Sequence, residues 1–153
     1  MTKSQIPNKS QIPKSNYPIE FKIIDHPSDI GIEAYGKDLK GLFENAASGM
    51  MEIMFGSPKE YNPNLPVINI NVSADNIESL LIAWLSELLY LSDSKKIAIY
   101  AFEITKLTDK QLEAKALGDK ISKSLTFIKA ATYNQLEVRK EKTYWKAKVI
   151  FDV

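Results

Sequence analysis

The 153 residues predict an α+β domain, a largely antiparallel sheet of about seven strands with two long amphipathic helices packed on it. Three observations carry that expectation. In two stretches apolar residues recur at three- and four-residue steps, the spacing of one helical face. Elsewhere they alternate with polar residues at the two-residue period of a half-buried strand. Most of those alternating segments follow one another through short turns, which suit antiparallel neighbours, whereas parallel strands need long crossovers.

The first element is expected over Ile19 to Ile24, and a second where Ile30, Ile32 and Ala34 alternate with Gly31, Glu33 and Tyr35. Asp25-His26-Pro27-Ser28-Asp29 forms the loop between them. Leu39, Leu42, Phe43, Ala46, Ala47, Met50, Ile53 and Met54 then mark a helix with Asp38 as N-cap and Gly56 with Pro58 as its stop. Its methionines admit two readings: core packing, which the spacing favours, or an adaptable surface at Met50, Met51 and Met54 for a partner protein. A proline-punctuated connection, Asn62 to Pro66, leads to a strand through Ile68, Ile70 and Val72. Asp75 with Glu78 forms a capping-box pattern for the second helix, whose apolar stripe is Ile77, Leu80, Leu81, Trp84, Leu85, Leu88 and Leu89 and whose end is set at Ser92-Asp93-Ser94. Beyond Lys96 only strands are expected. Tyr100 to Ile104 and Leu112 to Ala116 make a hairpin around Leu107 to Lys110, broken at Gly118. After a polar loop from Asp119 to Ser124 come Phe127 to Tyr133, Leu136 to Arg139, and a last strand through Trp145 to Val153.

The N-terminal 18 residues read differently. KSQIP occurs at Lys3 to Pro7 and again at Lys9 to Pro13, followed by KSNYP at Lys14 to Pro18, so the segment is expected to be a flexible lysine-bearing tail on a single domain spanning 19–153. The chain carries 20 basic and 19 acidic residues; with the tail's three lysines set aside, the domain holds 17 against 19. So balanced a charge argues against stable direct nucleic-acid binding. No apolar run reaches the roughly 20 residues of a membrane span, and no N-terminal secretion signal is present, so a cytoplasmic location without a membrane partner is expected.

With no cysteine and one histidine the chain lacks a thiolate site, a disulfide, a cysteine nucleophile and a multi-histidine metal centre. Neither GxGxxG nor GxxxxGK[ST] occurs, and His26 has no GxSxG companion. What remains is a set of carboxylates: Asp25 and Asp29 beside His26, and Asp152 next to Val153. Each has an ordinary explanation as a loop cap or a solvated charge, which spacing alone favours. The Val153 α-carboxylate beside Asp152 adds a further oxygen group, and with a distant loop carboxylate such a pair suits a hard divalent cation.

These residues resemble the archease family. Asp25 to Ile32, DHPSDIGI, resembles its DHTADVGI signature; Leu42 to Met54, LFENAASGMMEIM, its LFENAA-type helix; and Trp84 to Tyr90, WLSELLY, a helix motif of the same sequence. Ile128 to Tyr133 is similar to its VKAxTYH strand and Val149 to Val153 to its terminal VxFDI. The likeness implies a non-catalytic accessory protein that activates an RtcB-type tRNA-splicing RNA ligase, promoting ligase guanylylation and multiple turnover. It also implies an alternative, a chaperone-like modulator of tRNA-modifying enzymes such as a tRNA cytosine methyltransferase. By the same resemblance Asp29, Asp152 and Val153 bind a divalent metal, Ca²⁺ foremost with Mg²⁺ or Mn²⁺ as alternatives, and Lys129 is activity-related; Asp25 and His26 are further candidates beside them. The chain departs from the pattern at Pro27, Ser28 and Asn134, the last standing where the family commonly has histidine.

Overall fold

A computed structural model describes residues 20–25, 29–57 and 64–153. The expected tail therefore lies outside the described residues. In chain order the elements are β1 (Phe21–Asp25), β2 (Ile30–Gly36), α1 (Leu39–Phe55), β3 (Val67–Ser73), α2 (Ile77–Lys95), β4 (Ile97–Leu107), β5 (Gln111–Lys120), β6 (Ala130–Ala131), β7 (Glu137–Lys140) and β8 (Trp145–Asp152). Every pairing is antiparallel, as the alternating pattern predicts.

The strands divide between two sheets instead of forming one. The larger has the order β1-β2-β8-β6, with β7 also paired to β8, and the smaller runs β3-β5-β4. Both helices touch both sheets: α1 packs on β1, β2 and β8 and on β4, while α2 packs on β3, β4 and β5 and on β6 and β7. The reason lies in the width of the apolar arcs. Ten residues of the 17 in α1 are buried, including Asn45 and Gly49 off the expected stripe, and an arc that broad needs cover on more than one side. Met50, Met51 and Met54 belong to this core, so the reading of them as an exposed partner surface is corrected. Trp84, fully buried in α2, donates its indole N–H to the Phe43 carbonyl of α1 over 2.9 Å and ties the helices together.

Helix ends follow local chemistry. Asp38 caps α1 through its Oδ1, 2.8 Å from the Gly41 N–H, and Gly56 closes it in the left-handed region at φ +85°. For α2 the cap is Asn76, whose Oδ1 accepts the Ser79 N–H at 2.8 Å, and not the Asp75 of the expected capping box. Asp75 stands one residue too early, and Glu78 remains as an acid in the first turn, where the helix dipole favours it. The helix continues through Ser92-Asp93-Ser94 to Lys95, because Lys96 adopts the left-handed conformation that the stop requires. Gly118 does not break β5: a Cβ there would lie 2.8 Å from Ile97 Cδ1, so the missing side chain admits the neighbouring strand where the β4–β5 register shifts. No helix among the described residues is long and apolar enough to cross a membrane.

Candidate functional site

The antiparallel pairing of β2 with β8 joins the early aspartates to the end of the sequence. Ile32 pairs with Val149, Gly31 with Ile150 and Ile30 with Phe151, so one further step sets Asp29 beside Asp152. Directly opposed antiparallel residues hold their Cβ atoms about 5 Å apart and project to the same side of the sheet. On its other edge β8 meets β6, with Ala130 opposite Asp152, and the Lys129 N–H donates to the Asp152 carbonyl over 2.7 Å. Thr132 fastens the same edge through its N–H, 3.1 Å, and its hydroxyl, 2.8 Å, both to the Ile150 carbonyl. Asp29, Asp152, Val153 and Lys129 thus meet at one corner of the larger sheet.

Asp25 reaches that corner as well, at the end of β1 opposite Ile30. Its register position is one residue out of step with Asp29, which by the pleat sends its side chain toward the opposite face. His26 lies outside the described residues. Asp29 is half-buried, whereas Asp152, Val153 and Lys129 are exposed, so water and a partner can reach the corner. Close packing supports it from below: a Cβ on Gly31 would fall 2.5 Å from the Val149 carbonyl. Among the described residues no three His, Asp or Glu side chains converge closely enough to hold a metal ion. The corner offers two side-chain carboxylates, those of Asp29 and Asp152.

Beside Lys129 and Ala130 opens a cavity of about 420 Å³, walled by Met54, Leu89 and Ile128 and rimmed by Tyr90, Lys96 and Phe127. Tyr90 and Phe127 are 64% and 65% exposed, large for aromatic rings. Sequence reasoning missed this feature, although Tyr90 and Phe127 stand off the patterns that assign their neighbours to the core. The expected strand from Phe127 to Tyr133 shortens to Ala130–Ala131, and residues around it line the opening.

A second residue escaped the sequence reading. Glu44, on α1, accepts the Ile104 N–H of β4 over 2.9 Å, at the point where β4 shifts register against β5. Burial pushes its carboxyl up to about 7; Asp38 and Glu103 push the same way, while the Ile104 N–H and Lys40 oppose them. The available signal was an acid placed between Phe43 and Ala46, beside a largely apolar arc.

Comparison with known proteins agrees with this architecture. The model of the archease protein family (MTH1598/TM1083) matches residues 21–153. Protein archease of Methanosarcina barkeri is 39% identical over 142 residues, 88% of this chain and 96% of its own, and that of Methanosarcina acetivorans is 34% identical over the same coverage. The solution structure of Methanobacterium thermoautotrophicum protein 1598 is similar at a TM-score of 0.69 and 31% identity, covering 88% of this chain and 99% of that one. A crystal structure of a Thermotoga maritima archease, described as a possible chaperone, shares the fold at a TM-score of 0.60 and 22% identity, covering 93% and 100%. A family model that matches from β1 to Val153 and a relative 39% identical over 142 residues place the chain in the archease family.

Proposed function

We propose that this chain is a non-catalytic activator of an RtcB-type tRNA-splicing RNA ligase, acting in the cytoplasm to promote ligase guanylylation and multiple turnover through the corner at Asp29 and Asp152. The observation that supports this reading is the register of β2 on β8, which sets two carboxylates from opposite ends of the sequence side by side at an accessible edge. Opposed carboxylates at such a spacing repel each other unless a cation lies between them. Their oxygen donors fit a hard divalent ion, Ca²⁺ first, which takes several oxygens at about 2.3–2.6 Å and completes its shell with water. Asp29 and Asp152 would hold it, joined by the Val153 carboxylate where that residue carries the chain terminus. A divalent ion at this corner would supply positive charge to phosphate oxygens during nucleotidyl transfer.

The chain's own residues do the positioning. The Lys129 and Thr132 hydrogen bonds fix the end of β8, so Asp152 projects from a held strand. The Lys129 ammonium, exposed at the same edge, adds a further cation for a phosphate-bearing partner. The test is stimulation of ligase guanylylation by the wild-type chain, Asp29→Ala and Asp152→Ala, alongside calorimetric titration with Ca²⁺. Loss of stimulation and of saturable binding in both variants, with circular dichroism unchanged, is the expected result; full stimulation by either would overturn the reading.

A second reading, a chaperone-like modulator of a tRNA cytosine methyltransferase, draws on the exposed Tyr90, Leu125, Phe127 and Tyr133. It predicts that Tyr90→Ser with Phe127→Ser abolishes protection of the methyltransferase from aggregation and leaves ligase guanylylation intact. Unaltered protection would remove it.

A further inference from the structure

We infer that the free edge of β3 is a self-pairing surface, through which two copies of this chain join their smaller sheets about a twofold axis. In that sheet β3 is an edge strand, bonded only to β5 among the described residues. Edge strands invite pairing, and proteins ordinarily blunt them with charge, proline, bulges or shortness. The other exposed edges carry such devices. Strand β1 has Lys22 and Asp25, β7 has Glu137, Arg139 and Lys140, and β6 is only two residues long. Strand β4 has two register shifts and gives its Ile104 N–H to Glu44. Strand β3, VININVS, has seven residues with neither charge nor proline, and its pairing with β5 runs without a shift.

The register shows which backbone groups are available. The Ala74 N–H donates to the Lys110 carbonyl over 2.9 Å, one step beyond the Ser73–Gln111 pair. Bonded pairs recur at every second residue of an antiparallel ladder. Ile68, Ile70 and Val72 therefore direct their N–H and C=O groups at β5, and Val67, Asn69, Asn71 and Ser73 direct theirs at the open edge.

The sequence of β3 is nearly the same read from either end about Ile70. Laid antiparallel on a second copy with Ile70 at the twofold axis, Asn69 opposes Asn71, Ile68 opposes Val72 and Val67 opposes Ser73. The opposed outward residues, Asn69 with Asn71 and Val67 with Ser73, are those whose backbone groups are free, and each such pair exchanges two hydrogen bonds. Ile68, Ile70 and Val72, which lie on the side packed by α2, stay together on one face, while the exposed Asn69 and Asn71 side chains meet across the join on the other. No like charges face one another. On the outer face each row runs Lys115, Asn69, then Asn71 and Glu113 of the second copy, so its two ends carry opposite charge. A closed pair of this kind is isologous and leaves β3 no further free edge, whereas an unrelated peptide would satisfy the backbone groups without using the symmetry of the strand.

The experiment is sedimentation velocity of the full chain from low micromolar to about 1 mM, the range in which weak interfaces titrate. A reversible monomer–dimer equilibrium is expected. Amide exchange at Asn69 and Asn71 should slow as concentration rises, with Ile70, already bonded to β5, unaffected. In the doubly substituted Asn69→Lys, Asn71→Lys chain, lysines oppose lysines across the join, and the dimer dissociation constant should rise about tenfold or more. The Asn69→Glu, Asn71→Glu chain should behave alike by itself, and mixing the two should restore a heterodimer because each lysine then faces a glutamate. A wild-type chain that stays monomeric to the upper concentration overturns the inference. So does a dimer that persists unchanged in both charged chains, or exchange at Asn69 and Asn71 that ignores concentration.

Discussion

Glu44→Gln should make the protein more stable at neutral and alkaline pH while leaving it nearly unchanged in acid. Glu44, half-buried on α1, accepts the Ile104 N–H of β4, and its carboxyl is pushed up to about 7 from an ordinary 4.5. An acid whose folded-state value lies above its unfolded value binds more protons when folded. Stability from this group is therefore fully present below about 4.5 and is lost as pH rises toward about 7. At about 1.4 kcal/mol for each pH unit across that interval, the cost of keeping the carboxylate ionised at pH 8 is at most about 3.5 kcal/mol. Glutamine preserves an oxygen for Ile104 and removes the charge, but its amide N–H₂ needs a partner of its own, which brings the expected gain to about 1–3 kcal/mol at pH 8. Urea unfolding of both chains at intervals from pH 4 to pH 8 measures this, and subtracting the curves cancels the titrating groups that do not interact with Glu44. A difference that is flat with pH, or a glutamine variant that is less stable at pH 8, would refute the reasoning.

Other substitutions test packing and capping. Gly31→Ala forces a Cβ to 2.5 Å from the Val149 carbonyl, a backbone atom with no room to withdraw, and should cost about 2–4 kcal/mol in urea unfolding while loosening the Asp29–Asp152 corner. Asn76→Ala should lower stability by about 1 kcal/mol through loss of the Ser79 cap, whereas Asp75→Ala should change it by less than about 0.5 kcal/mol; the reverse order in thermal melts would restore Asp75 as the cap. Trp84→Phe removes the buried bond to the Phe43 carbonyl and leaves a void between the helices, with an expected loss of about 2–4 kcal/mol in urea unfolding.

Helix positions and the antiparallel class were legible because periodicity reports them directly: Leu42 to Met54 and Ile77 to Leu89 follow one face, and Asp38 stands where a cap must. The division into two sheets was not, since alternation shows that a residue faces a core without showing which strands share it. Asn45, Gly49 and Met51 gave the missing hint, being buried outside a single stripe. At the candidate site, Asp29 and Asp152 could be named from the family resemblance, yet only the register of β2 on β8 puts them side by side. Glu44 and Asn76 show the limit from the other direction. Whether a polar side chain caps, bonds across or merely dissolves depends on a partner's backbone, as with Ile104 sixty residues away from Glu44.

Strand β8 has a consequence for how the molecule comes into being. One of its edges holds β2, and the other is divided between β7 and β6, so the element furthest along the chain is the axle of the larger sheet. As a nascent chain leaves the ribosome, β2 emerges early and pairs with β1, but must wait for more than a hundred residues before its other partner, β8, exists, a closure that is slow because of its span. The smaller sheet with α2 can assemble while that wait lasts. A product that stops before β8 would thus lack the completed larger sheet and the apposition of Asp29 with Asp152.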